Sequence, residues 1–288
     1  MITWPPELVR AIARRKAVVV IGAGVSKNSA NTDGKRPATW EEFLLSCLGQ
    51  VRNQDLISTL ITNKDYLTAC QIIKHQMNAD AFSNLIENEY QRSGYIPAKI
   101  HEHIYNLDAS IVMSPNFDNI YETYANQVSR GTITVRDHTK TDIANYIHGG
   151  EYRLIIKSHG SADNPRNIIF TRHDYAEART KYVLFYEILK SLALTHTFLF
   201  IGCGIDDPDI RMLFEDIKFA HGIYPCHYMT IPDQEIDDDI LLIVSTTMRI
   251  NFLKYSDVNN HKELTDSLEE LVSILESDRK ELSTTMKW

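Results

Sequence analysis

The feature of this sequence that most constrains its fold is a series of short runs that are almost continuously apolar and rich in β-branched residues. Runs of this kind are typical of strands that are buried on both faces of a parallel sheet. They occupy residues 17–21, 110–114, 154–157, 197–201, 226–231 and 249–253. Segments with helical spacing lie between several of them, for example at 182–194 and 209–219. This alternation predicts a parallel sheet with helices on both faces.

The segment from about residue 40 to residue 106 has a different pattern. It shows helical periodicity, few β-branched runs, and turn signals at 63–65 and 92–95. We therefore predict a single α/β domain over 1–288, in which a Rossmann-like core (1–39 and 107–288) carries an inserted all-helical small domain. An amphipathic helix at 261–277 is expected to close the core, and the last dozen residues are expected to fray or to meet a partner.

Composition and charge exclude several classes of protein. The 288 residues carry a formal net charge of −8 and no lysine- or arginine-rich run, which argues against direct binding of nucleic acid. No apolar run approaches the roughly 20 residues that span a bilayer, and the N-terminus lacks the pattern of a signal peptide. We therefore expect a cytoplasmic protein with no membrane association.

The cysteines bear on metal binding. The chain has four cysteines, and no two of them form a C-x-x-C pair. A structural zinc ribbon needs two such pairs at close spacing, so we predict no zinc and no other metal site. Reduced thiols in a reducing compartment are the simplest interpretation of these residues.

Four of the predicted strands end in polar or glycine-containing loops, at 22–26, 116–118, 158–160 and 202–204. In open α/β sheets, ligands bind at the carboxyl ends of the strands. In the first loop, Gly22 and Gly24 permit a tight turn and close approach to a diphosphate. Lys27 holds the place of the third glycine of a dinucleotide fingerprint, so a plain strand-to-helix turn is an equal alternative and a hydride-transfer dehydrogenase is disfavoured.

The other loops carry side chains that could act in chemistry. His159 follows a strand, so we expect its ring to project from the edge of the sheet, where imidazole suits proton transfer; a structural histidine is the alternative. Asn116 and Asp118 follow another strand, and from these residues alone an Asx-type turn, with Asn116 bonding its own backbone, is slightly favoured. The carboxylates at 206–209 surround Pro208 and predict a helix cap rather than a metal site.

Taken in order, these pieces resemble the sirtuin-like (SIR2-like) family, in particular its bacterial antiphage-defence NAD hydrolase branch and the SIR2 subunit of SIR2–HerA systems. Residues 22–26, 37–43, 114–118, 157–160 and 202–210 carry the resemblance across nearly the whole chain. The resemblance implies that NAD binds between the core and the helical small domain. It also implies a set of cofactor-binding residues, which are Gly22, Ala23, Gly24, Ser26, Asp118, Gly202 and Gly204.

The same resemblance implies the roles of the reacting groups. Asn116 would hold the attacking water beside the nicotinamide ribose, Asp118 would bind the carboxamide of nicotinamide, and His159 would be the catalytic base. Two departures from the deacetylase pattern are the missing zinc ribbon and the loop at 27–37, which lacks a Pro-Asp-Phe-Arg element.

We therefore expect an enzyme, an NAD⁺ glycohydrolase that releases nicotinamide and ADP-ribose and depletes NAD in antiphage defence. The alternatives are an NAD-dependent protein deacylase or ADP-ribosyltransferase, and a non-catalytic sensor of NAD or ADP-ribose. By family analogy, and because the chain leaves little length for a sensor of its own, we expect a homo-oligomer with a HerA-like ATPase or another phage-sensing partner.

Overall fold

The computed structural model describes residues 1–149, 153–204, 207–221, 224–233 and 236–286. These residues form a parallel sheet in the order β3-β4-β2-β1-β5-β6-β7. The strands are β1 (Ala17–Ile21), β2 (Ile111–Ser114), β3 (Thr134–Asp137), β4 (Leu154–Lys157), β5 (Thr197–Ile201), β6 (His227–Pro232) and β7 (Ile250–Tyr255). The predicted α/β class with a parallel sheet is confirmed.

Strand β3 was not predicted from the sequence. It lies at one edge of the sheet, pairs only with β4 among the described strands, and has no fully buried residue. An edge strand of this kind does not need the continuous apolar run that marks a strand buried on both faces. The six strands that were predicted are all present, three with the predicted bounds and three with ends that differ by one or two residues.

Helices cover both faces of the sheet. The α-helices of the described residues are α1 (Pro6–Ala13), α2 (Ala23–Ser26), α3 (Trp40–Ser46), α4 (Gln54–Thr62), α5 (Tyr66–Gln76), α6 (Ala79–Ile86), α7 (Lys99–Asn106), α8 (Ile120–Val128), α9 (Ile143–Gly149), α10 (Arg172–Lys181), α11 (Val183–Thr195), α12 (Pro208–Ala220), α13 (Asp238–Met248) and α14 (Val258–Thr285). Alternate residues of β1 point into two different cores, with Val19 on the side of α1, α7 and α14 and Val18 on the side of α11, α12 and α13. None of the helices within the described ranges has the length and apolar character that a bilayer span requires.

A third core lies between the helices α3–α6 and the loops that follow β2 and β4. Phe43 and Phe82 from the helices meet Phe117 and Phe170 from these loops, and the Phe117 and Phe170 ring centroids are 4.8 Å apart. Helix α7 instead packs its buried isoleucines into the core under α14. Helices α3–α6 are therefore attached to the loops at the carboxyl edge of the sheet, whereas α7 belongs to the core on one face of it.

The C-terminal helix extends further than its apolar pattern predicted. The face formed by Leu264, Leu268, Leu271 and Leu275 is buried, as expected. The expected fraying is wrong for residues 277–285, which continue α14; residues 287 and 288 lie outside the described ranges. Arg279 explains the extension, because its guanidinium donates to the carbonyl oxygens of Ile12 and Leu107 at 3.3 and 2.7 Å.

Candidate active site

Two glycine-containing loops touch where β1 and β5 end side by side. The Gly22 amide donates to the Ile201 carbonyl and the Gly24 amide donates to the Gly202 carbonyl, both at 2.9 Å. A Cβ on Gly22 would lie 2.3 Å from the Gly202 oxygen, and Gly202 itself has φ +62°. Glycine is therefore required here by contact between the two main chains, which brings the first and last predicted cofactor-binding loops together.

This contact leaves part of the first loop accessible. Ala23 and Gly24, at the start of α2, are exposed, whereas Gly22 is buried behind them. Gly204 is exposed at the far end of the loop after β5, and residues 205 and 206 lie outside the described ranges. The order of the strands reverses at the parallel pair β1 and β5, because β2, β4 and β3 lie on one side of this pair and β6 and β7 lie on the other. Such a switch point is where α/β sheets bind their ligands.

A buried polar cluster joins the first loop to the turn after β2. The Ser26 hydroxyl donates to Asp118 Oδ2 at 2.8 Å and accepts from Asn116 Nδ2 at 3.0 Å. The amide of Asn116 thus faces Ser26, and the Asx-type bond in this turn is made instead by Asp118 Oδ1, which accepts from the Ile120 amide at 3.1 Å. The structure thus brings the predicted site residue Ser26 together with Asn116 and Asp118, which follow it by 90 and 92 positions in the sequence.

The side chain of Phe117 explains the direction of its two neighbours. Phe117 is buried in the third core, against Tyr90 and Phe170. Because this ring anchors the turn on one side, the side chains of Asn116 and Asp118 are turned towards Ser26. The helical segment therefore helps to orient the polar residues of the site.

His159 lies on the neighbouring loop, after β4. Ser114 and Lys157 are paired in register at the ends of β2 and β4, so Asn116 and His159 each stand two residues beyond a paired position. The ring of His159 is only 3% exposed, with the Tyr175 hydroxyl 3.5 Å from both ring nitrogens and Asp207 Oδ2 3.9 Å from Nε2. The expectation of a projecting ring is therefore wrong, because Tyr175 of α10 packs over it.

A small cavity of about 20 Å³ lies beside this histidine. Its walls are largely apolar, including Val20, Met113 and Leu213, and its polar lining comes from Ser158, His159 and Asp207. This volume is enough for a single water molecule and far too small for a dinucleotide. The cavity is thus a water-sized space next to a group that can accept a proton.

Three residues contact these loops in ways that the sequence did not predict, and they are Tyr175, Glu122 and Lys157. Lys157 and Glu122 form a buried ion pair, with Nζ 2.8 Å from Oε1, and Lys157 Nζ also donates to the Asp118 carbonyl at 2.6 Å. A lysine at the end of the apolar run 154–157 is the signal that could have drawn attention to this pair. Buried lysines need a partner, and the sequence does not say which residue supplies it.

The acidic run after β5 acts partly as predicted. Asp207 Oδ1 accepts from the Ile210 amide at 3.1 Å, which confirms the helix cap at the start of α12. Asp206 and the side chain of Asp209 lie outside what the structure describes. Among the described residues, no group of three or more His, Cys, Asp and Glu side chains is placed to hold a metal ion.

Cys203 lies beside the site but is a poor nucleophile. Its Sγ lies 3.6 Å from the Ile201 carbonyl oxygen, in the loop next to Gly202 and Gly204. Burial raises the pKa of the Cys203 thiol far above its ordinary value, and the Asp207 carboxylate raises it further. Since the thiolate is the reactive form, this shift makes Cys203 a weak nucleophile near neutral pH.

Comparison with known proteins points to one family. The family described as "SIR2-like domain" matches residues 110–255, which is half of the 288-residue chain. Defense-associated sirtuin 2 from Bacillus subtilis is 25% identical over 219 residues, which cover 74% of this chain and 20% of that protein.

Two relatives carry another name. NAD(+) hydrolase ThsA from Enterococcus faecium is 23% identical over 216 residues, covering 73% of this chain and 41% of that protein. NAD(+) hydrolase ThsA from Bacillus cereus (strain MSX-D12) is 20% identical over 286 residues, covering 92% of this chain and 56% of that protein. The chain therefore spans between about a fifth and just over half of the length of these three relatives.

Proposed function

Since the chain belongs to the SIR2-like family, we propose that it is an NAD⁺ hydrolase, which cleaves the bond between nicotinamide and ribose to give nicotinamide and ADP-ribose. The observation that carries this proposal is the placement of Asn116 and His159 at equal offsets beyond the paired ends of β2 and β4. The names of the ThsA relatives, NAD(+) hydrolase, agree with it.

The geometry supports a division of roles among the site residues. Ala23, Gly24 and Ser26, with Gly22 behind them, would meet the phosphates and ribose, and Gly202 and Gly204 would lie along the adenosine side. Asp118, held by Ser26, would bind the carboxamide of nicotinamide. Asn116 would hold water beside the ribose, and its side-chain amide is fixed for this by the Ser26 hydroxyl.

The chemistry requires little from the protein beyond orientation and a base. In the reaction the C1′–N bond breaks, its electron pair leaves with neutral nicotinamide, and water adds to C1′ with loss of a proton. His159 would accept that proton, because a neutral imidazole is suited to this role near neutral pH. The raised pKa of the Cys203 thiol does not favour a covalent route.

The biological setting and assembly are part of the same proposal. Uncontrolled loss of NAD would harm the cell, so we propose that the enzyme acts in the cytoplasm during antiphage defence and that its activity stays low until it is triggered. A homo-oligomer with a HerA-like ATPase or another phage-sensing partner would supply this control. We further propose that residues 40–106 form the small domain beside the NAD cleft and that no structural zinc is needed, because the cysteines form no C-x-x-C pair.

The proposal is tested by incubating the purified protein with NAD⁺ and following nicotinamide and ADP-ribose by chromatography, with Asn116→Ala as the inactive variant. Wild-type protein should release both products in equal amounts, and Asn116→Ala should bind NAD⁺ but release little nicotinamide, because only orientation of the nucleophile is lost. Nicotinamide release that requires an acylated peptide would instead identify a deacylase. Binding of NAD⁺ with no release under any condition would identify a sensor.

A further inference from the structure

The Lys157–Glu122 ion pair lies directly beneath the candidate site. Lys157 ends β4 and Glu122 lies in the first turn of α8, and their side chains are 2% and 8% exposed. Lys157 Nζ is 2.8 Å from Glu122 Oε1 and donates to the Asp118 carbonyl at 2.6 Å. One side chain thus links the strand that leads to His159 with the turn that carries Asn116 and Asp118.

Stability alone does not account for this pair. Removing two charges from water costs several kcal/mol per ion, and apolar residues of the same size often stabilise a protein at least as well. Burial raises the pKa of Glu122, and the Lys157 ammonium opposes that rise. Since the pair offers little net stabilisation, its function is better sought in the geometry of the site that it contacts.

The bond from Lys157 acts on the main chain of the site. The turn after β2 is also tied by Phe117, whose carbonyl accepts from the Ala162 amide at 2.8 Å, and by Asp118 Oδ1, which accepts from the Ile120 amide. The Lys157 side chain, at the end of β4, adds a further bond to the same turn through the Asp118 carbonyl. It therefore restrains the peptide that follows Asp118 and, through it, the turn that carries Asp118 and Asn116.

We propose that Lys157, paired with Glu122, is a positioning residue that holds the turn at Asn116 and Asp118 in register with His159. The inference rests on the proposed hydrolase function. Because a displacement of about 1 Å can cost roughly 10²-fold in rate, loss of this bond should lower kcat strongly. Affinity for NAD⁺ should fall less than kcat, since the loop at 22–26 keeps its own contacts with the loop after β5.

The test is the double variant Lys157→Met/Glu122→Met, which removes both charges together and leaves no lone buried ion. We expect kcat for nicotinamide release to fall about 10-fold or more and the dissociation constant for NAD⁺ to change less than about 3-fold. Amide hydrogen exchange across residues 115–120 should accelerate. Wild-type kcat together with wild-type exchange in the double variant would overturn the inference.

Arg279→Met is the matched control. It also removes a cation that donates to a loop carbonyl, Leu107, but at the opposite edge of the sheet. Its kcat and the exchange of residues 115–120 should match those of the wild type. An equal loss of kcat in Arg279→Met would mean that general loosening, not positioning, explains the double variant.

Two further outcomes keep the inference separate from the proposed function. If the wild type does not cleave NAD⁺, the proposed function fails, and exchange of residues 115–120 alone decides whether Lys157 holds the turn. If the double variant does not fold, Lys157→Gln/Glu122→Gln replaces it, because it also leaves no lone buried ion and keeps polar side chains at both positions. This variant should lower kcat at least about 3-fold and accelerate the same exchange, and wild-type values of both would overturn the inference.

Discussion

Ser26 and Asp118 are joined by a 2.8 Å hydrogen bond between two buried side chains that lie 92 residues apart in the sequence. The bond connects the helix start after β1 with the turn after β2, and the same hydroxyl accepts from Asn116. The first loop and this turn therefore behave as one polar unit. Any change at Ser26 acts on both residues that the proposed reaction uses to hold nicotinamide and water.

Ser26→Ala should remove the hydrogen bonds that join the first loop to the turn after β2. It leaves the buried Asp118 carboxylate and the Asn116 amide each without one partner, which should lower the free energy of unfolding by about 1–3 kcal/mol. Nicotinamide release should fall as well, because both side chains lose orientation. Urea denaturation and turnover measure the two effects, with Ser283→Ala, an exposed serine at the end of α14, as control. Equal stability of the two variants would contradict this account.

His159→Ala should abolish most turnover and also weaken the fold. Loss of a positioned base costs roughly 10²-fold or more in rate. The ring is 3% exposed and packs against Tyr175, so its removal leaves a space that should cost about 1–3 kcal/mol of stability. Nicotinamide release and thermal melting test both expectations. The control is His173→Ala, since that side chain is 72% exposed; near-normal turnover in His159→Ala would remove His159 from the mechanism.

Gly22→Ala should disturb the contact between the loops after β1 and β5. The new Cβ would lie 2.3 Å from the Gly202 oxygen, so one main chain has to move. We expect a loss of about 1–3 kcal/mol of stability, in the range of overpacked cores, together with weaker NAD⁺ binding. Gly49→Ala is the matched control, because nothing lies within 4 Å of its Cβ position. Calorimetric titration with NAD⁺ and thermal melting should distinguish the two variants, and matching behaviour would contradict the prediction.

Stability should fall as the pH is lowered below the ordinary pKa of histidine. His227 is fully buried between aromatic rings, and burial lowers its pKa from 6.5 to about 3. The unfolded chain therefore binds a proton between these values that the folded chain does not, so the stability present above pH 6.5 is lost progressively towards pH 3. Between pH 7 and pH 5 the loss from this residue should be about 2 kcal/mol.

His227→Gln is the variant that checks this assignment. In the wild type the Phe198 amide donates a hydrogen bond to His227 Nδ1 at 3.1 Å. A glutamine side chain retains an acceptor for this amide but does not titrate. Urea denaturation of this variant should depend less steeply on pH between 7 and 5 than that of the wild type. Identical slopes would show that His227 is not the responsible group. Burial also lowers the pKa of His101, so part of the dependence should remain.

Much of the fold could be predicted from the sequence because burial on both faces leaves a local pattern. The run at 17–21 is continuously apolar and the run at 197–201 is apolar after Thr197, since each residue of β1 and nearly every residue of β5 meets a core. Parallel strands place their carboxyl ends at one edge, so the loops carrying Gly22, Asn116 and His159 could be expected to converge. The edge strand β3 was missed because its half-exposed residues carry no such pattern.

The contacts of the site were decided only by the tertiary structure. Periodicity reports how deeply a residue is buried, but it does not identify the side chain that the residue meets. That Ser26 bonds Asp118, that Tyr175 covers His159 and that Lys157 reaches the Asp118 carbonyl all depend on how distant segments pack. The sequence by itself therefore determined which residue types stand at the carboxyl edge of the sheet. Packing of the helical segment and of α8 and α10 against that edge decided how those residues are oriented and which of them are buried.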